Sequence, residues 1–133
     1  MRFVGYLPQA QALQYVSDAA VCISPFYPAP FLNSASPTKL IEYMALGKAV
    51  VANIQPEQQY LIEQSGCGLC VPWDEQAFTE AIVALLRAPD MARSMGERGR
   101  QYVLRHRTYG RIADLVEREL LRVAGHAAAE AVP

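Results

Sequence analysis

The chain is poor in charge and in most residues that mark special environments. Charged residues make up 19% of its 133 positions, and the formal net charge is −1. A dedicated nucleic-acid binder needs a strong basic excess to displace counterions, so that class is set aside. No apolar run approaches the roughly 18 residues that span a bilayer. No basic, apolar and small-residue leader pattern opens the chain, so the sequence reads as neither secreted nor membrane-spanning. Only three cysteines occur, Cys22, Cys67 and Cys70; they cannot all pair, and a reducing compartment suits them. The two histidines, His106 and His126, lie in unrelated segments. Cys67-Gly68-Leu69-Cys70 therefore lacks a second ligand pair for zinc. A redox C-x-x-C should open a helix, whereas this one runs into Val71-Pro72 and reads as a turn entering a strand. Internal repeats, low-complexity stretches and a G-x-G-x-x-G turn are all missing.

What is present is globular. Hydrophobic residues make up 52%, the nine prolines are scattered singly, and the length suits one domain. Charge is uneven along it. Residues 1–86 hold three cations (Arg2, Lys39, Lys48) against seven acids, while residues 87–133 hold nine arginines against six acids. A basic C-terminal third favours anionic surfaces, but acids interleaved with the arginines describe a solvated helical face.

Short apolar runs alternate with helical periodicity. Residues 2–6 (RFVGY), 20–24 (AVCIS), 49–53 (AVVAN) and 68–71 (GLCV) read as strands covered on both faces. Between them, residues 8–17, 37–46 and 56–64 each open with a proline suited to a first helical turn. This order predicts βαβ units and an α/β fold, a Rossmann-like parallel sheet of about four strands flanked by helices. The last third is helical. Phe78, Ala81, Ile82, Leu85 and Leu86 form one apolar stripe, with Asp74 as N-cap and Ala88-Pro89 as the stop. A helix over 90–106 is weakened by Gly96 and Gly99. A third places Ile112, Leu115, Val116, Leu120 and Val123 on one side, with Asp114 and Arg118 as an ion pair. Residues 1–125 then form a partial Rossmann-like domain and residues 126–133 a flexible tail.

In an open parallel sheet, ligands bind outside the carboxyl ends of the strands. Three places qualify: Tyr6-Leu7, the long loop over 25–36, and residues 54–56. The loop feeds a helix through Ser36-Pro37-Thr38-Lys39. Ser36 is placed to cap, Pro37 to fill the first position, and the amides of Thr38, Lys39 and Leu40 to face outward at the positive end of the dipole. Lys39 adds a mobile cation, and Glu42, one turn on, can reach a ribose diol. The same residues also describe an ordinary capped helix with an exposed Lys39 and Glu42. His106 is set in a late helix among arginines, where a helix-end role outweighs that of a general base. Trp73 suits a packed strand exit or a base-stacking ring. Tyr43 and Met44 belong to the helix face against the sheet.

The run from Ser36 to Ala52 (SPTKLIEYMALGKAVVA) resembles the donor-binding motif of retaining, family 4-type glycosyltransferases with the GT-B fold. Gly5-Tyr6-Leu7-Pro8, Asp18-Ala19, the turn Gly66-Cys67-Gly68-Leu69-Cys70-Val71-Pro72 and the segment 90–109 resemble further motifs of that family, in the same order. The resemblance implies the C-terminal, nucleotide-sugar half of a two-domain enzyme. By position, Glu42 matches the second glutamate of an E-x7-E pair that binds the ribose. Ser36, Thr38, Lys39 and Leu40 match the helix start at the diphosphate, Tyr6 and Leu7 the turn lining the base, and Asn33 and Ser34 the donor-sugar contacts. Ser34 stands where the first glutamate of the pair belongs, and the cationic diphosphate clamp falls upstream of Met1. The implied substrate is a UDP- or GDP-linked sugar, with no cofactor and no metal. The implied partner is an N-terminal acceptor-binding domain, missing or on another chain. The implied setting is polysaccharide assembly in the cytoplasm, at or near the inner membrane. The segment alone is expected to be inactive. A competing reading is a non-catalytic Rossmann-like module that pairs through an exposed sheet edge, including as a homo-oligomer. A phosphoacceptor signalling domain is set aside, because no strand ends in Asp or Glu.

Overall fold

The computed structural model describes residues 3–130, with side chains described through residue 125. In chain order the elements are helix α1 (Gln9–Asp18), strand β1 (Val21–Ser24), helix α2 (Thr38–Ala45), strand β2 (Ala49–Asn53), helix α3 (Pro56–Ser65) and strand β3 (Gly68–Val71). Helices α4 (Glu75–Arg87), α5 (Pro89–His106) and α6 (Tyr109–Glu130) follow. A 3-10 turn at Pro30–Leu32 lies in the loop between β1 and α2.

The strands form a parallel sheet in the order β1-β2-β3, with Val21 opposite Ala49 and Val50 opposite Gly68. All five residues of the central β2 are buried, which its unbroken apolar run requires of a strand covered on both faces. Alternation sends its side chains to two cores. Val50 and Ala52 meet Leu40 and Met44 of α2, Leu61 and Ile62 of α3, and Val103 of α5. Ala49 and Val51 meet Ala81 and Leu85 of α4 and Ala92 of α5. Asp74 caps α4 as read from the sequence, its Oδ1 accepting from the Ala77 N–H at 2.8 Å.

Two expectations need correction. Among the described residues the sheet has three strands, not four. Phe3 is 85% and Tyr6 99% exposed, and this segment joins no ladder; Arg2 lies outside the described residues. An apolar run states a tendency, but a parallel strand exists only beside a neighbour. Arg118 reaches Asp114 through the backbone, Nε donating to the carbonyl at 3.2 Å, so the contact is not the carboxylate pair expected. Helix α6 runs through position 125 to Glu130; residues 131–133 lie outside the described residues.

Helix α5, read as weak because of its glycines, is deeply integrated. Gly96 lies against the turn before β2, where a Cβ would sit 2.0 Å from the Gly47 carbonyl oxygen. A Cβ on Gly99 would sit 2.7 Å from that of Cys67. Each glycine costs about 1 kcal/mol of helix propensity, and each permits a contact no other residue allows. In contrast, the apolar row on α6 (Ile112, Leu115, Val116, Leu120, Val123) is exposed.

Candidate functional site

The loop that leaves β1 is fixed to the carboxyl end of the sheet by buried amides. Asn53, the last residue of β2, accepts the Phe26 N–H on Oδ1 at 2.6 Å and donates Nδ2 to the Phe26 carbonyl at 2.9 Å. Gln55 donates Nε2 to the carbonyls of Leu32 and Ala35 at 3.0 and 2.9 Å. Its Oε1 accepts the Gln58 N–H at 2.9 Å and so caps α3. Gln58 donates to the Asn53 carbonyl at 3.1 Å and accepts from the Ser24 hydroxyl. All four side chains are buried, and their mutual satisfaction makes that burial affordable. Sequence reasoning missed this network. Its trace is the three amides in Asn53-Ile54-Gln55-Pro56-Glu57-Gln58, directly after a buried strand.

Helix α2 starts beside this loop, with its first turn at the carboxyl end of the sheet. Pro37 occupies the N-cap position, and no side chain caps the helix. Ser36 instead places Oγ 3.4 Å from Glu57 Oε1, a correction to its expected capping role. The Leu40 N–H donates to the Pro37 carbonyl at 3.0 Å and the Leu40 side chain is fully buried. Leu40 is thus a core residue and not one of three outward amides. Thr38 is exposed, and Glu42, one turn later, is exposed on the same side of the helix.

Lys39 is less free than expected. Its Nζ donates to the Pro25 carbonyl at 3.0 Å and stands 6.0 Å from the centre of the Phe26 ring. Partial burial pushes its pKa below the usual lysine value. Asn33 and Ser34 are exposed in the same loop. The structure therefore has Asn33, Ser34 and Ser36 in one loop and Thr38, Lys39 and Glu42 on the helix that follows it. It does not gather Tyr6 or Leu7: Tyr6 packs on nothing, Leu7 is half-buried, and α1, which follows them, carries no buried residue.

The remaining candidates fall elsewhere. Tyr43 is partly buried and Met44 fully buried in the core under α2, as read. Trp73, 47% exposed, meets Tyr27 edge-on at 6.0 Å, and with Ile23, Pro25, Phe78 and Ile82 lines a groove of about 360 Å³. His106 is exposed in the last turn of α5, its ring 4.8 Å from that of Tyr102. The three thiols are free. Burial pushes Cys67 and Cys70 up, the opposite of what a redox C-x-x-C requires. Among the described residues no three His, Cys, Asp or Glu side chains come together to hold a metal ion. Among the same residues no helix is long and apolar enough to cross a membrane.

Comparison with known proteins bears on the fold and the family. No curated protein matches the chain. Sucrose-phosphate synthase from Thermosynechococcus elongatus has a similar structure, with a TM-score of 0.78 and 32% sequence identity. The match covers 95% of this chain and 30% of that one, so the present chain spans less than a third of its structural relative. The family model described as glycosyl transferases group 1 matches residues 1–88. Every residue of the candidate site lies inside that match, and the chain belongs to the glycosyl transferases group 1 family.

Proposed function

We propose that this chain is the donor-binding portion of a retaining glycosyltransferase that takes a sugar from a UDP- or GDP-linked donor. The observation that carries this reading is the start of α2. There, exposed Thr38 and Glu42 and the tethered Lys39 stand at the carboxyl end of a parallel sheet, beside a loop locked in place by Asn53 and Gln55. The helix start favours an anion through its free amides and its dipole. Lys39 adds positive charge next to it, and the Glu42 carboxylate accepts hydrogen bonds from a ribose diol. In sugar transfer the diphosphate leaves as charge builds on it, so this end of the helix assists departure. Asn33 and Ser34 face the donor sugar. The acceptor is a glycan or a lipid-linked sugar held by a separate N-terminal domain, on the cytoplasmic side of the inner membrane, in polysaccharide assembly. The chain alone binds donor and does not turn it over.

A second reading has one observation behind it. Ile23 on edge strand β1 is 47% exposed, unusual for a parallel strand and suited to pairing with another chain, including a second copy. Titration of the chain with UDP, GDP and ADP, followed by NMR, separates the two. The donor reading expects one nucleotide to bind and Glu42→Ala to weaken its binding about tenfold. A folded chain indifferent to all three nucleotides sinks it in favour of the interaction module.

A further inference from the structure

A second polar cleft lies between α3 and α5, set off from the candidate donor site by the Arg107–Glu57 ion pair at 2.8 Å. Helix α3 begins at Pro56, just after the carboxyl end of β2, and ends at Ser65, just before the amino end of β3. Its ten residues span about 15 Å. At its far end, Gln64 and Ser65 face a stripe of α5 made by Arg98, Gln101, Tyr102 and Arg105, with His106 beside it. Positions 98, 101, 102 and 105 follow the i, i+3, i+4, i+7 rule for one helix face. The cleft has a volume of about 370 Å³, and no carboxylate lines it.

One of its cations, Arg98, is held in place. Arg98 donates Nε and Nη2 to the Gly66 carbonyl at 3.2 and 2.9 Å, and Nη1 to Ser94 Oγ at 2.9 Å. A guanidinium carries five N–H donors, so two of its donors remain. Arg105 makes one long contact, Nη2 to Gln101 Oε1 at 3.4 Å. The nearby acids are engaged: Glu97 accepts from Gln101 at 3.2 Å, and Glu63 accepts from Gln59 at 2.8 Å.

We propose that this cleft is a binding site for a phosphate group, a tetrahedral anion grasped by Arg98, Arg105 and the His106 ring. The reading is independent of donor binding and assigns a use to the arginine excess of the C-terminal third. The remaining donors of the anchored Arg98 and the guanidinium fork of Arg105 match several oxygens of one phosphate. The amides of Gln64 and Gln101 supply further donors, and the volume admits a small phosphorylated molecule or a lipid headgroup.

The experiment follows the arginine Nε–H and glutamine side-chain NMR signals of the 133-residue chain during titration with inorganic phosphate at constant ionic strength. The proposal expects saturable shifts at Arg98, Arg105, Gln64 and Gln101, with Arg105→Gln weakening binding about tenfold or more. Arg118→Gln, on α6, should leave it unchanged. Cosedimentation with phosphatidylcholine vesicles containing phosphatidic acid then distinguishes the sources. Pelleting that Arg105→Gln abolishes marks a headgroup, and phosphate binding without pelleting marks a soluble ligand. Shifts confined to α2, no saturable shift, or equal losses in the Arg105 and Arg118 variants would overturn the proposal.

Discussion

Asn53 holds Phe26 by both of its backbone polar groups, accepting its N–H and donating to its carbonyl from one side-chain amide. The residue that ends the central strand thereby sets where the loop after the neighbouring strand begins. Asn53→Leu strips both bonds and leaves Phe26 unsatisfied. With each buried orphan costing about 1–3 kcal/mol, the expected loss is about 2–4 kcal/mol, read as a fall in the urea midpoint. Any nucleotide affinity that depends on the loop should fall with it, even where the variant stays folded.

Two glycine substitutions should move stability in opposite directions. Gly96→Ala improves helix propensity but drives a methyl into the Gly47 carbonyl, and is expected to cost about 2–4 kcal/mol. Gly125→Ala meets open space on α6 and should gain up to about 1 kcal/mol where the helix is intact. Thermal melts of both variants check the pair. A neutral Gly96→Ala would show that α5 is not pressed against the turn before β2.

The ribose role of Glu42 makes a sharper claim than loss of binding. Glu42→Ala should weaken a ribonucleoside diphosphate about tenfold, yet leave the 2′,3′-dideoxy analogue unchanged, because the analogue offers no diol. Equal losses for the two ligands would move Glu42 into a merely structural role. Paired titrations of wild type and variant decide it.

Alkaline pH should destabilise the fold through its thiols. Burial pushes Cys22 up from 9.0 to about 11, opposed by the nearby Lys48 charge, and Cys67 and Cys70 are raised in the same sense. The native chain keeps these protons longer than the unfolded chain. Stability is therefore full below pH 9 and declines as pH rises toward 11. Lys39 acts the other way: its lowered pKa relieves a desolvation cost as pH rises toward the ordinary lysine value. Cys22→Ala should flatten the decline in urea midpoint across that window. An unchanged slope would remove Cys22 from the account.

The parts of this molecule written in local pattern could be read from its sequence. The β1, β2 and β3 runs, the Asp74 cap and the buried face of α2 each depend on a few adjacent residues, and each stands where it was read. What depends on a distant partner did not show. Residues 3–6 have strand composition and no neighbouring strand. Ser36 has capping chemistry, but its hydroxyl turns to Glu57 on another helix. Gly96 and Gly99 look like helix breakers until the turn beneath them is known. The amides of Asn53, Gln55 and Gln58 resemble ordinary loop and surface residues, since their distant partners lie 20 to 34 positions away. In the candidate site, Glu42 and Thr38 could be placed, while the tether on Lys39 could not.

Helix α5 contributes Ala92 to one core and Val103 to the other, stitching the two sides of the sheet together. The stretch matched by the family model stops at residue 88, one position before that helix begins. The candidate site thus lies wholly before α5, while the two cores beneath it close only with α5 in place. A chain cut after Ala88 keeps the whole candidate site and loses the suture, and should emerge from expression as a collapsed, dye-binding species without a sharp melting transition.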